Sequence, residues 1–160
     1  MALTGTFERT IDDKFRLAVP KLLKEAFAVS GSGDLFLAPG NEGCISLYSS
    51  EGFDKFARRL ANISPGRANV RTFLRLFYAR AERVVLDKQA RIRIPDRLIN
   101  LAGLQRDVVI LGVNDHAEIW DKQSWDQFLA GHSAQYDDLT TEALDSFLSE
   151  SPMDGRSSYS

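Results

Sequence analysis

Two arginines in this chain each follow an aspartate by four residues, a spacing that could serve a turn or a binding site. The first pair is Asp12 and Arg16, and the second is Asp87 and Arg91. An arginine guanidinium can bind phosphate or a guanine edge through two parallel hydrogen bonds, which makes nucleic acid a candidate ligand. The simpler interpretation is a local ion pair that holds the turn and contributes about 0–1 kcal/mol at an exposed site.

The neighbouring residues favour binding over a purely structural ion pair. On an extended segment alternate side chains share one face, so Lys14 should point the same way as Arg16, and Arg93 the same way as Arg91. Both copies place an arginine after the same turn, and together they are expected to form one basic patch at the end of a sheet. Strands can enter the major groove, so the pattern predicts double-stranded DNA as a partner.

Other chemistry finds little support in the residues. Asp12 and Asp13 are adjacent, so on a strand they would face opposite ways and make a poor acid–base pair. His116, His132 and Cys44 are the only residues of their types and show no metal-ligand spacing. We therefore expect no enzyme activity, metal, cofactor or small-molecule ligand, and we expect His116 to be simply exposed in a hairpin.

The elements that would position these residues occur twice. The segment 11–20 aligns with 86–95 at an offset of 75 residues, and later positions align at an offset of 72. Each copy has the pattern of a strand, a turn, a strand, a short helix begun by proline, a hairpin and a closing helix. Two copies predict a pseudo-twofold pair of half-domains rather than a solenoid. The predicted strands are 5–10, 16–19, 34–39, 44–48, 82–86, 91–94, 107–112 and 117–120, and the predicted helices are 21–27, 50–60, 96–101 and 122–129.

Apolar residues around the hairpins and closing helices are expected to pack inward rather than to stack on a ligand. They are Leu47, Tyr48, Phe53, Phe56, Ile119, Trp120, Trp125 and Phe128. Between the copies lies an arginine-rich run, 68–81, which has helical spacing and apolar residues most of the way round. Such a helix is expected to be buried or packed on another subunit.

Charge is distributed unevenly along the chain. The 160 residues carry a net charge of −2, but from residue 131 onward there are six acidic residues and one arginine. The preceding part therefore holds 19 Lys/Arg against 16 Asp/Glu, a net charge of +3. A mildly basic body with an acidic tail is compatible with DNA binding, although an ordinary solvated surface fits as well. With one cysteine and apolar stretches of strand length at most, the chain is expected to be cytoplasmic and not in a membrane.

The composition divides the chain into four parts. We expect a first repeat at 5–60, a linking helix at 61–81, a second repeat at 82–130 and an acidic tail at 131–160. Within the tail, 140–148 is predicted to form a short amphipathic helix, and the polar residues 149–160 are predicted to be disordered.

The doubled motif resembles the paired Asp-x-x-x-Arg motifs of the MraZ family, and the resemblance covers roughly residues 5–130. It implies an α+β fold, a pseudo-twofold swapped-hairpin (AbrB-like) β-barrel from two internal repeats with flanking helices. It also implies a nucleoid-associated transcriptional regulator, usually a repressor. Such a regulator binds short direct repeats upstream of the division and cell-wall gene cluster, which includes its own gene, and assembles into a ring-shaped homo-oligomer. By position, the resemblance assigns DNA contact to Lys14, Arg16, Lys88 and Arg91, to which the strand pattern adds Arg93, with Asp12 and Asp87 supporting the turns.

One departure from the family concerns the residue before each motif arginine. The family normally has glycine there, whereas this chain has Phe15 and Ala90. A phenylalanine resists left-handed geometry by roughly 1–2 kcal/mol, so the first turn is expected to be reshaped. Alternatively, Phe15 stacks or wedges against DNA, or packs at a subunit contact.

Two alternatives to a DNA-binding regulator stay open. A ring-forming interaction protein of the same fold, with Phe15 and Ala90 marking lost DNA binding, would assemble without retaining DNA. An enzyme using the Asp–Arg pairs would enclose them in a pocket rather than expose them.

Overall fold

The computed structural model describes residues 2–29 and 33–156. Strands and helices of both copies are confirmed, with ends that differ from the predicted ones by a few residues at most. In chain order the elements are β1 (Thr6–Thr10), β2 (Arg16–Ala18), α1 (Lys21–Val29), β3 (Asp34–Pro39), β4 (Ile45–Ser49), α2 (Ser50–Ala61), α3 (Ala68–Arg80), β5 (Glu82–Val85), β6 (Arg91–Arg93), α4 (Asp96–Ala102), β7 (Asp107–Val113), β8 (His116–Asp121), α5 (Lys122–His132) and α6 (Tyr136–Arg156).

The main sheet has six antiparallel strands in the order β1-β7-β8-β4-β3-β5. The counterparts in the two copies are β1 and β5, β3 and β7, and β4 and β8. Exchanging them gives the same order read from the opposite edge of the sheet, as the internal repeat predicts. The first strand of each copy pairs with the other copy, since β1 lies beside β7 and β5 lies beside β3. The two copies are therefore interleaved and share one sheet.

The remaining strands, β2 and β6, form a two-stranded antiparallel ribbon with one strand from each copy. At its centre Leu17 faces Ile92, and both are fully buried. These two residues stand 75 positions apart, the offset of the repeat, so the pseudo-twofold passes through this pair. The ribbon lies over the same apolar core as the main sheet, which contains side chains from both copies.

Turn chemistry explains where the flanking elements end. The β7–β8 hairpin turns at Asn114, whose φ of 65° is a left-handed value that asparagine tolerates well. Helix α4 ends at Gly103, which has a φ of 59° and donates its backbone N–H to Asn100 and Ile99, a common C-terminal cap.

The predicted core residues near the hairpins are confirmed as buried for Leu47, Tyr48, Ile119 and Trp120. A smaller cluster joins the main sheet to α2 and α3 through Phe53, Phe56, Phe77 and neighbouring rings. Helix α3 buries only part of its apolar surface within the described part of the chain. Its exposed large apolar side chains are Phe73, Leu76 and Tyr78.

The chain divides into two compact units, Met1–Lys122 and Gln123–Ser160. In the second unit the rings of Trp125 and His132 each stack on the Phe128 ring, with centroid distances of 5.6 and 4.2 Å. The tail differs from its prediction, because α6 continues to Arg156 instead of ending near residue 148. The predicted disorder at 157–160 lies outside the described residues.

The fold class of α+β with antiparallel sheets is confirmed. The described strands form open sheets, so closure into a swapped-hairpin barrel stays a prediction, as do the four domain bounds. No helix in the described ranges is long and apolar enough to cross a membrane.

Candidate nucleic-acid interface

The first motif is a tight turn organised by the Asp12 carboxylate. Its Oδ1 accepts the backbone N–H groups of Lys14 and Arg16, each at 2.9 Å, and its Oδ2 accepts Arg16 Nε at 2.7 Å. The backbone carbonyl of Asp12 also accepts the N–H of Phe15 at 3.0 Å, and the N–H of Asp12 donates to Arg16 at 3.1 Å. One aspartate therefore shapes the backbone and restrains the arginine together.

The second motif repeats this hydrogen-bond pattern. Asp87 Oδ1 accepts the N–H groups of Gln89 and Arg91 at 2.8 and 2.9 Å, and Oδ2 accepts Arg91 Nε at 2.9 Å. The local ion pair that the spacing suggested is thus present in both copies. It is compatible with a binding role because the aspartate bonds to Nε in each copy, and the two Nη groups of a guanidinium can still donate to a ligand.

The expectation that Phe15 reshapes the first turn is wrong. Phe15 has a φ of 60° and Ala90 a φ of 59°, so both copies keep the left-handed conformation that glycine favours. Bonds to the other copy hold them there: the carbonyl of Phe15 accepts the N–H of Ile94, and the carbonyl of Ala90 accepts the N–H of Val19, both at 2.9 Å. These reciprocal bonds offset the backbone strain.

The two turns also meet through their side chains. Arg91 Nη1 lies 3.9 Å from Asp12 Oδ2, the oxygen that already pairs with Arg16. Asp12 therefore stands between one arginine from each copy. This contact joins the two copies, and the spacing within either motif did not predict it.

Electrostatics keeps both aspartates charged. The hydrogen bond from the Arg16 backbone is the largest cause that lowers the pKa of Asp12, and the Arg91 backbone does the same for Asp87. The stability that these bonds contribute is fully present above the ordinary pKa of 3.8 and is lost as the pH falls through the lowered pKa of each carboxyl. The turns are accordingly built to work with ionised aspartates.

The other predicted basic residues surround these turns. Arg93 lies on β6 directly across from Arg16, while Arg91 lies across from Ala18. Lys14 and Lys88 are exposed in the turns. The prediction that Lys14 shares an extended segment with Arg16 is wrong, because the left-handed residue Phe15 separates them.

This arrangement is an open surface and not a pocket that encloses the Asp–Arg pairs. The side chains of Asp12, Arg16 and Asp87 are each about one-third exposed, and that of Arg91 only slightly less. The enzyme alternative required enclosure, so the geometry does not favour it. No cluster of metal-ligating side chains was found among the described residues.

A second polar cluster, around His116, was not foreseen. The prediction that His116 is simply exposed is wrong, since its side chain is only 18% exposed. Its Nδ1 lies 2.7 Å from Asp115, its Nε2 lies 3.3 Å from Glu118, and its ring stacks on Tyr48. Hydrogen bonding to Glu118 is the largest cause that raises the pKa of His116, against the opposing effect of burial.

The sequence matches a model of a known protein family over part of its length. The family model described as "MraZ protein, putative antitoxin-like" matches residues 77–147. The matched range includes the second motif and the ribbon strand β6.

Individual relatives extend the similarity over most of the chain. A protein named transcriptional regulator MraZ from Lactiplantibacillus plantarum is 36% identical over 141 residues, which are 88% of this chain and 97% of that protein. The protein of the same name from Lactobacillus helveticus is 37% identical, with 88% and 95% covered. That from Bifidobacterium longum is 34% identical, with 89% and 92% covered.

Proposed function

The chain belongs to the MraZ family, and from this membership we propose that it is a transcriptional regulator that binds double-stranded DNA. The surface that binds is defined by the two turns and the β2–β6 ribbon, and we call it the ribbon surface. Its DNA-contacting residues are Lys14, Arg16, Lys88, Arg91 and Arg93, while Asp12 and Asp87 hold the turns.

The observation that carries this proposal is the matched presentation of two arginines on one exposed ribbon. Each arginine is fixed through Nε by its own aspartate. A side chain restrained before binding loses less conformational entropy when it binds. Among the described residues the Arg16 side chain pairs with Asp12 alone, through Nε, so its Nη groups can donate to phosphate or a base edge.

Assembly would multiply a modest affinity. We propose a ring-shaped homo-oligomer in the cytoplasm, associated with the nucleoid, whose subunits bind consecutive short direct repeats. Linked sites raise overall affinity by avidity without new contacts. The proposed target lies upstream of the chain's own operon in the division and cell-wall gene cluster, where binding would repress transcription. Within each subunit, the ribbon and the main sheet would correspond to the swapped-hairpin barrel of the family.

The test is a gel shift on double-stranded DNA from upstream of the chain's own gene, repeated over a series of salt concentrations. Affinity should fall steeply with salt because each neutralised phosphate releases counterions. The double variant Arg16→Ala, Arg91→Ala should weaken binding by about tenfold or more, the usual scale for lost guanidinium contacts.

The matched control is Arg58→Ala, which removes an exposed arginine of α2 outside the ribbon surface. It should bind like the unaltered protein, and circular dichroism should show that all variants are folded. Unchanged binding by the folded double variant would refute the proposed surface. Normal assembly with no DNA retention by the unaltered protein would instead favour an interaction protein.

A further inference from the structure

The two halves of the ribbon surface are built alike but are not equally charged. Because Leu17 and Ile92 lie on the pseudo-twofold, the cross-strand pair of Arg16 with Arg93 is the counterpart of the pair of Arg91 with Ala18. One pair therefore has two arginines and the other has one. Arg93 is the residue that has no basic counterpart.

The turns increase this difference. Asp13 in the first turn corresponds to Lys88 in the second, and Lys14 corresponds to Gln89. From residue 12 to 20 there are two aspartates and two cationic residues, a net charge of zero. From 87 to 95 there is one aspartate and there are three cationic residues, a net charge of +2. The difference is confined to the turns and the ribbon strands, because the next residues, Lys21 and its counterpart Asp96, have charges of the opposite order at the starts of α1 and α4.

Ion pairs distinguish Arg93 from the two motif arginines. Arg16 is paired with Asp12, and Arg91 is paired with Asp87 and lies 3.9 Å from Asp12. Arg93 is exposed, and its side chain makes no ion pair or hydrogen bond with residues 2–29 and 33–156. It is thus the arginine of the ribbon whose whole guanidinium is available to a ligand.

We propose that the second motif dominates DNA binding and that Arg93 determines the orientation in which the protein lies on DNA. This inference rests on the proposed function and concerns the same surface. Phosphates of a duplex look alike in both directions, so phosphate contacts alone allow two orientations. A base-edge contact made by one half only distinguishes them. A fixed orientation is what a repeated, non-palindromic target requires.

Affinity measurements on the DNA fragment from upstream of the gene test whether the second motif contributes more to binding than the first. Arg93→Ala should weaken binding about tenfold, the scale of one lost bidentate base contact. Lys14→Ala should weaken it less, because its half carries no net positive charge. Ala18→Arg places an arginine at the position that corresponds to Arg93. It should strengthen DNA binding at low salt, and this gain should disappear at high salt. An Arg93→Ala protein that is folded and binds within about twofold of the unaltered protein would overturn the proposal.

Orientation can be read by local DNA cleavage from a tethered iron–EDTA reagent. Cys44 is buried, and burial raises the pKa of its thiol to about 12, so an exposed introduced cysteine will be labelled selectively. Asp13→Cys and Gln89→Cys place the reagent on opposite halves of the ribbon, and unaltered protein treated with the reagent is the control.

The two conjugates should cleave on opposite sides of each bound site. Cleavage on both sides by each conjugate would show two orientations and contradict the proposal. With Arg93→Ala added, both conjugates should cleave both sides if Arg93 is the orienting residue. Failure of the unaltered protein to bind the fragment would count against the proposed function itself, so the two failures are distinguishable.

Discussion

At the residue scale, the turns depend on two side chains in an unfavourable backbone conformation. Phe15 and Ala90 both have left-handed φ values, where a Cβ costs roughly 1–2 kcal/mol relative to glycine. The cost is tolerated because the carbonyl of each residue is bonded to the opposite copy. The strain is therefore local, and removing it should not change the architecture.

Replacing Ala90 by glycine should stabilise the protein by about 0.5–1 kcal/mol, since relief of strain exceeds the entropy that glycine adds to the unfolded chain. The opposite control is Gly103→Ala, at a φ of 59° where an added Cβ meets no atom within 4 Å. It should destabilise by about 1 kcal/mol for the backbone reason alone. Urea unfolding measures both changes, and a loss of stability in Ala90→Gly would contradict this account of the turn.

His116 is the other residue whose environment makes a prediction. It is held between Asp115 and Glu118, and Arg59 of α2 adds an ion pair to Asp115 at 3.6 Å. Tyr48 of β4 covers the ring. Protonated His116 therefore pairs with two carboxylates of its own hairpin, while its ring contacts β4 and Asp115 contacts α2.

Stability should depend on pH through His116. Because its folded pKa is raised above the ordinary value of 6.5, its stabilisation is complete below that pH and is lost as the pH rises through the raised pKa. His116→Gln should lower the melting temperature at about pH 6 and should do so much less at about pH 9. His132→Gln is the control for losing a histidine. An equal effect of His116→Gln at both pH values would refute the charge-based explanation.

At the element scale, the β2–β6 ribbon connects two halves that have no separate cores. Each strand has three residues, too short for stability by itself. Leu17 and Ile92 anchor it in the shared core. The ribbon that presents the arginines is therefore stable only when both copies are folded.

Truncating either anchor should destabilise the whole first unit. Leu17→Ala or Ile92→Ala should cost about 2–5 kcal/mol, the range for a fully buried aliphatic side chain. Val85→Ala on the exposed side of β5 is the control and should change stability by about 0.5 kcal/mol or less. Denaturant unfolding should remain one transition in each variant. Two separate transitions in Leu17→Ala would mean that the copies fold independently.

At the scale of the whole molecule, exposed apolar side chains indicate further contacts. Phe73 and Leu76 stand one helical turn apart on α3 and are more than two-fifths exposed. Apolar residues grouped in this way commonly mark surfaces that bind another protein. They are compatible with the proposed homo-oligomer and with the prediction that this helix packs on another subunit.

Light scattering after gel filtration should give a mass that is a multiple of the 17.9 kDa chain. Phe73→Asp with Leu76→Asp should reduce that mass, because carboxylates are costly to bury in an apolar contact. Leu22→Asp, an exposed position on α1, is the matched control and should leave the mass unchanged. A monomeric unaltered protein at micromolar concentration would contradict the proposed ring and the avidity that depends on it.

Much of the local structure was predictable because short-range chemistry encodes it. The spacing of Asp12 and Arg16, repeated 75 residues later, indicated two turns with an ion pair in each. Prolines and glycines marked the ends of neighbouring elements, and alternating apolar residues indicated the strands. These features depend on interactions among residues only a few positions apart, so they can be predicted from a single sequence.

Tertiary structure alone decided how the copies combine. Strand register brought Arg93 opposite Arg16, placed Asp12 beside Arg91, and tied Phe15 and Ala90 to the other copy in their left-handed conformation. Burial likewise turned His116 from an apparently exposed hairpin residue into part of a charged cluster. Such contacts join residues tens of positions apart, and their geometry follows from packing the shared core. The sequence by itself thus determined two similar turns of unequal charge, while the fold joined them into one surface.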